Sequence, residues 1–220
     1  MFDNIIYDQH YQGLPLAIEH GPFLENRLAD ALATIENIME TNSRIVAVCF
    51  EVLVPNGHCN GYGFTPSHSQ CVSELVSKLQ RQARWKHTDL YGKRVKRRKP
   101  VIEAIWQESL TANQRSIYRV MLLLNHEAYF EQSISFDAAD TLRYRARMAW
   151  AKAMQIHKHQ SGAYIRFINH GLLIAHNDSD GLLKVFAKAS ALCGVPNQGF
   201  CHTPMGFGST KKSLIRKGNT

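Results

Sequence analysis

Apolar positions along the chain alternate between helical and strand-like periods. Leu24, Leu28, Leu32, Ile35 and Met39 recur at three- and four-residue spacings, predicting an amphipathic helix over 22–42. The run RIVAVCFEVLV at 44–54 is continuous and rich in β-branched residues, the pattern of a buried strand. A Gly-, Asn- and Pro-rich loop (55–67) separates it from a helix capped by Ser67, with Val72, Leu75, Val76, Leu79 and Ala83 on one face. VIEAIW (101–106) and IYRVMLLL (117–124) read as the next two strands, joined by a polar connection. A third helix is expected over 136–156 from a cap at Ser135, burying Leu142, Ala146, Ala149, Trp150 and Ala153. Short strands at 163–168 and 172–176 are parted by a turn at Asn169–Gly171; a last helix covers 181–193, and 195–220 reads as a Gly/Pro-rich basic tail. The chain has no internal repeat. The order α-β-α-β-β-α-β-β-α predicts one α+β domain with a largely antiparallel sheet.

Composition narrows the class. A chain of 220 residues, 45% hydrophobic and 10% aromatic, fits one ordinary globular core. No apolar run reaches the roughly 18–20 residues that span a bilayer, and MFDNIIYDQH lacks the charge pattern of a secretory leader. Five scattered cysteines, odd in number and without a CxxC pair, suit reduced thiols in the cytoplasm. Charge changes the picture more. Residues 1–40 hold seven acids and one base (−6), so residues 41–220 carry 25 bases and 11 acids (+14). Such a field favours a polyanion, nucleic acid above an anionic membrane, as the partner.

The bases cluster. KRVKRRK (Lys93, Arg94, Lys96, Arg97, Arg98 and Lys99) is too charged to bury and is suited to track along phosphates. Arg81, Arg84 and Lys86 precede it, interleaved with Trp85 and Tyr91, aromatics able to stack on bases. Arg143 and Arg147 stand one helical turn apart and could bracket a phosphate. Lys211 and Lys212, with Arg216 and Lys217, belong to the terminal basic stretch. The alternative for each cluster is a solvated surface or loop.

Metal and nucleophile chemistry has weaker support. His157 and His159 in HKH keep a metal-pair spacing only if extended, and a solvated turn is the ordinary reading. His58, Cys59, His68 and Cys71 have irregular spacing for a zinc clasp. Tyr118, Tyr144 and Tyr164 fit strand or helix surfaces as well as nucleophile roles, and Cys193 has no basic partner in sequence and reads as a buried thiol. No metal and no cofactor is expected.

Five fragments in order carry a resemblance: SRIVAVCFEVLVP (43–55), AIWQE (104–108), IYRVMLLLN with EAYF (117–130), MAWAKAM (148–154) and GFGSTKK (206–212). They resemble the replication-initiator-like family of filamentous phages and prophages, the YagK/YfjJ C-terminal domain, a relative of HUH endonucleases. The resemblance implies an HUH/Rep-like fold: a central antiparallel sheet flanked by helices, here with an N-terminal helix added. It also implies that active relatives hold a metal with two histidines and attack DNA with a tyrosine.

The resemblance implies that the family's histidine pair falls on Ile117 and Arg119, two residues apart and so on one face of the strand. Isoleucine has no lone pair, and a guanidinium is cationic without an acceptor, so neither binds a cation. Arg119 instead offers a fixed positive charge to a phosphate, or is an edge or rim residue making an ion pair. The tyrosine and lysine of the family's helix fall on Ala191 and Gly194. These degenerate positions leave no catalytic residue by that mechanism. The expectation is therefore an acidic helical extension (1–42), an HUH-like DNA-binding domain (43–212) and a basic tail (213–220). Its role would be that of a catalytically inactive DNA-binding protein of a mobile element, an accessory factor in replication or conjugative processing, or a regulator. The alternatives are a nickase or relaxase with relocated residues, and a protein-interaction module that meets replication or conjugation proteins through the acidic helix 22–42.

Overall fold

The computed structural model describes residues 4–55, 68–84, 99–113, 115–129, 142–168, 171–195 and 204–210. The chain begins with short strands β1 (Ile5–Ile6), β2 (His10–Tyr11) and β3 (Leu14–Pro15), a 3₁₀ turn (Ile18–His20) and β4 (Phe23–Leu24). Helix α1 (Glu25–Thr41), strand β5 (Arg44–Leu53), helix α2 (His68–Arg84) and strands β6 (Ile102–Leu110) and β7 (Ser116–Asn125) follow. The second half holds α3 (His126–Tyr129), α4 (Leu142–Ala153), a 3₁₀ turn (Ser161–Tyr164), β8 (Ile165–Phe167), β9 (Leu172–Ala175), α5 (Ser179–Ser190) and β10 (Pro204–Ser209).

Six strands form one antiparallel sheet in the order β10-β6-β7-β5-β8, with β9 also on β5. The long apolar runs of β5 and β7 occupy its centre, paired from Ile45–Asn125 to Leu53–Ile117. A central strand is buried on both faces, so alternate residues feed two cores. Val46, Val48, Phe50 and Val52 pack with Val120, Leu122 and Trp150 beneath α2 and α4. Ile45, Ala47, Met121 and Leu123 pack on the opposite face against Leu28, Ile35 and Phe186 of α1 and α5. Helices thus cover both sides, an α+β arrangement as predicted.

Local signals account for the ends. Asp178 caps α5, its Oδ1 accepting from the Gly181 N–H at 2.8 Å. Asn125 ties β6 to β7: its Oδ1 accepts from Val101 N–H at 2.8 Å and its Nδ2 donates to Lys99 O at 3.1 Å.

Several boundaries differ from the sequence reading. Residues 1–42 are no separate extension: Leu28, Ala31, Ile35 and Ile38 of α1 are at most 1% exposed and form half of the second core. The 195–220 segment is not simply a tail, because β10 lies within it and pairs with β6 from Pro204–Ser109 to Ser209–Ile105. Glycine is a poor strand former, which hid this strand. Its Gly208 lies so close to the Trp106 ring that no Cβ fits. The strand expected at 163–168 opens instead as the 161–164 turn, and α5 runs two residues earlier and ends before Ala191. The expected helix 136–156 is helical over Leu142–Ala153, and its start at Ser135 lies outside the described residues.

The integral role of α1 has a direct test. Leu28→Ala should lower the unfolding free energy by about 2–5 kcal/mol in urea denaturation. A loss under about 0.5 kcal/mol would show that the helix is a dispensable appendage.

Candidate functional site

Residues directly opposite in antiparallel strands share a face. The sheet register therefore lines up Phe207, Gln107, Arg119, Glu51 and Arg166 across β10, β6, β7, β5 and β8. This row lies on the face covered by α1 and α5, at the margin of the apolar core. Glu51 is 8% exposed, and taking a carboxylate out of water is expensive unless it is paired. The two flanking strands supply the partners. Arg119 Nε donates to Oε1 at 3.2 Å; Arg166 donates to Oε2 from Nε at 3.0 Å and Nη2 at 2.5 Å. The row continues through Gln107, whose Nε2 donates to Gly194 O at 3.5 Å, to Phe207 beneath the Arg27 guanidinium at 5.6 Å.

Two cavities meet on the Glu51, Arg119 and Arg166 side chains. The larger, about 640 Å3, is walled by α5 and the turn after it (Ala187, Lys188, Ala191) and by Leu16 to His20 of the N-terminal segment. The other, about 500 Å3, is lined by Ile117, Leu53, Tyr164 and residues of the 161–164 turn. Ile117 and Arg119 thus share a face, as strand periodicity requires, and Ala191 stands on the wall opposite Arg119 in the larger cavity. Gly194 does not line it: bridged to Phe23, it lies against the His20 carbonyl where no side chain fits. The four degenerate positions divide into three cavity residues and one packing glycine.

These residues do not fit a divalent cation. Of Ile117, Arg119 and Glu51, the carboxylate alone has lone pairs, and both of its oxygens already accept from guanidiniums. Among the described residues no group of three or more His, Cys, Asp or Glu is disposed to hold a metal. His157 and His159 sit in an exposed turn with ring centroids 4.9 Å apart. Of the zinc-clasp candidates, His58, Cys59 and the His68 side chain lie outside the described residues, and Cys71 is buried.

The other nucleophile candidates separate by burial. Tyr118 projects to the opposite face, 1% exposed. Its phenol is held well above the ordinary tyrosine range by burial first, then by the Glu108 carboxylate. Burial likewise pushes the Cys193 thiol up, and its Sγ donates to Ala189 O at 3.5 Å. Neither has nucleophile character. Tyr144 is exposed on α4, away from both cavities. Tyr164 alone of the three shares a cavity with Arg119 and Arg166.

A second feature extends this site. Residues 141–177 contain no Asp or Glu but six bases: Arg143, Arg145, Arg147, Lys152, Lys158 and Arg166. Arg147, Lys152, Lys158 and Arg166 are exposed. Arg143 is half-buried with its guanidinium 5.4 Å from the Phe167 ring centroid, which fixes its position at the β8 edge. The 161–164 turn packs on α4 and also lines the smaller cavity, joining the basic helix to the arginine row. Arg81 is exposed on α2 and Lys99 is exposed at the start of β6. Lys86, Lys93, Arg94, Lys96, Arg97, Arg98, Lys211 and Lys212, and the Arg84 side chain, lie outside the described residues. The acidic helix spends one face on the core and keeps Glu36 and Glu40 exposed.

A family model, the YagK/YfjJ C-terminal domain, matches residues 7–209. The chain belongs to that family. The match runs through α1 and β10, in keeping with one packed unit rather than a domain starting at residue 43. No curated protein and no solved structure matches the chain. Sequence reasoning missed Arg166, Lys188 and Glu51. The acid-free run 141–177 was the available signal for the first; the others required the register and the cavity walls.

The Tyr118 environment sets an alkaline limit. A tyrosine whose folded pKa is raised contributes stability that is complete below the unfolded value near 10 and is lost as pH rises above it. Unfolding free energy should therefore fall with pH above about 10, and Tyr118→Phe should flatten that slope in denaturation curves. An unchanged slope would place the hydroxyl in water.

Proposed function

We propose that the protein binds DNA without cleaving it, through the basic surface running from α4 across the 161–164 turn to β8. The observation that carries this reading is the acid-free run 141–177, whose bases lie on α4, in the following turn and on β8, beside the Arg119–Glu51–Arg166 row. A run of bases with no acid between them in sequence favours a positive potential, which phosphates neutralise with release of counterions. KRVKRRK at 93–99 supplies six further bases for the same partner. Ile117 and Arg119 in place of metal ligands, and Ala191 in place of a nucleophile, support a binding rather than a cutting role. An HUH/Rep-like ancestry fits this pattern, with work as an accessory factor or regulator in replication or conjugation of a mobile element. The acidic N-terminal helix would then meet proteins of that machinery through Glu36 and Glu40, and the protein would act in the cytoplasm.

Fluorescence anisotropy with duplex, hairpin and single-stranded DNA should give a Kd below about 10 µM at moderate salt on at least one. Arg147→Ala with Lys158→Ala should weaken it and reduce the slope of log K against log salt by about 0.7–0.9 per lost phosphate contact. Absence of binding on all three DNAs would overturn the proposal.

One observation favours a second reading. Tyr164 shares a cavity with Arg119 and Arg166, so a relocated tyrosine nucleophile would meet guanidiniums able to steady a phosphate. A supercoiled plasmid incubated with Mg²⁺ or Mn²⁺ should then yield open circles and a covalent adduct that Tyr164→Phe removes. The binding reading expects neither product.

A further inference from the structure

The larger cavity combines three properties that a surface groove for a DNA backbone does not need. It is enclosed on two sides, by the end of α5 and by the N-terminal segment. At about 640 Å3 it falls within the range of small-molecule sites, about 300–1,000 Å3. Much of its wall is apolar, made of Leu16, Ala17, Ile168, Ala187, Ala191 and Leu192, with Lys188 and Glu19 adding to the charge of the Arg119–Glu51–Arg166 floor.

The charges define one half of that occupant. Arg119, Arg166 and Lys188 (+3) against Glu51 and Glu19 (−2) leave the lining at +1. Glu51 engages Arg119 through Nε only, so both of its terminal nitrogens are without a partner among the described residues, as is Nη1 of Arg166. Guanidinium groups with outward N–H pairs are matched to the oxygens of a phosphate. A phosphate alone would leave the apolar wall in water. The wall calls for a ring with apolar faces, and the Glu19 carboxylate and His20 imidazole offer hydrogen bonds to its polar edge.

We infer that this cavity binds one nucleoside phosphate unit, its phosphate on Arg119 and Arg166 and its base against Ala187, Ala191 and Leu192. The unit is either a free nucleotide or one nucleotide of a strand, and the chemistry of the site is the same for both. The site shares Arg166 with the proposed DNA-binding surface but needs none of the bases of α4.

Isothermal titration of the full chain with deoxyadenosine monophosphate, inorganic phosphate and a 5′-phosphorylated trinucleotide separates these sources. The nucleotide or the trinucleotide should saturate with a Kd below about 1 mM, and phosphate should bind at least about tenfold more weakly. Arg166→Gln and Ala191→Phe should each weaken that binding about tenfold or more. Arg166 is an exposed side chain, so its variant keeps the test valid should Ala191→Phe fail to fold. A trinucleotide that binds where the free nucleotide does not, with the same sensitivity to both variants, identifies the occupant as part of a strand. The inference falls if neither ligand saturates by about 5 mM, if phosphate binds as tightly as the nucleotide, or if both variants leave binding unchanged. Loss of DNA affinity with nucleotide binding intact would sink the α4 reading alone, and the reverse would sink this one.

Discussion

Glu51 is a carboxylate inside the sheet, and the arrangement around it follows from the need to neutralise it. Its side chain projects from β5 on the same face as Ile45 and Ala47, where the neighbouring positions are apolar. Leaving a buried charge of this kind with no partner at all costs about 3–5 kcal/mol, comparable to much of a domain's net stability. A base stands directly opposite it on each neighbouring strand, Arg119 on β7 and Arg166 on β8. A slip of one residue in either pairing would turn that arginine to the face beneath α2 and α4 and leave Glu51 with one partner or none. The ion row thus specifies the register of three strands, a task that uniformly apolar β5 and β7 would perform less sharply. It also fixes where the apolar face ends and the cavities begin.

Helix cover completes this division. Along β5 and β7, Ile45, Ala47, Met121 and Leu123 lie under α1 and α5, while Glu51 and Arg119 lie where α5 stops at Ser190. The turn from Ala191 to Gly194 then returns against the N-terminal segment: Leu24 N–H donates to Cys193 O at 3.2 Å and Val195 N–H to Pro22 O at 2.7 Å. Close approach of Gly194 to the His20 carbonyl is what lets these segments meet. The cavity is therefore a product of the fold's N-terminal and C-terminal parts together, and α1 and its preceding turns are necessary for it.

Much of this was legible in the chain. The β-branched runs located β5 and β7 to within one residue, because central strands of this length leave little room for another reading. Strand alternation alone put Ile117 and Arg119 on one face. Other parts were illegible for physical reasons. β8 is three residues long, too short for a periodic signal, and the pairing of Arg166 with Glu51 spans 115 positions. β10 reads Pro-Met-Gly-Phe-Gly-Ser, with the composition of a loop; its pairing with β6 brings Gly208 so close to Trp106 that a side chain there would clash. Helix α1 had the right periodicity, but its acidic composition suggested an appendage. An amphipathic helix shows its charge in composition and its packing only in three dimensions.

The two arginines of the row are not equivalent, and the difference indicates how the site could work. The Arg119 side chain is 37% exposed and that of Arg166 is 77% exposed, although both meet the same carboxylate. An ion pair whose guanidinium is solvent-exposed is screened and typically worth only about 0–1 kcal/mol. An incoming phosphate can thus share or displace the Arg166 contact at small cost while Arg119 continues to neutralise Glu51. A single arginine could not do both: recruiting it to a ligand would strand the buried acid. Two cations around one carboxylate leave a net positive charge after the structural need is met. That surplus resides on the more exposed residue, at the edge strand, next to the bases of α4. The same arrangement that fixes the register also leaves charge available for binding.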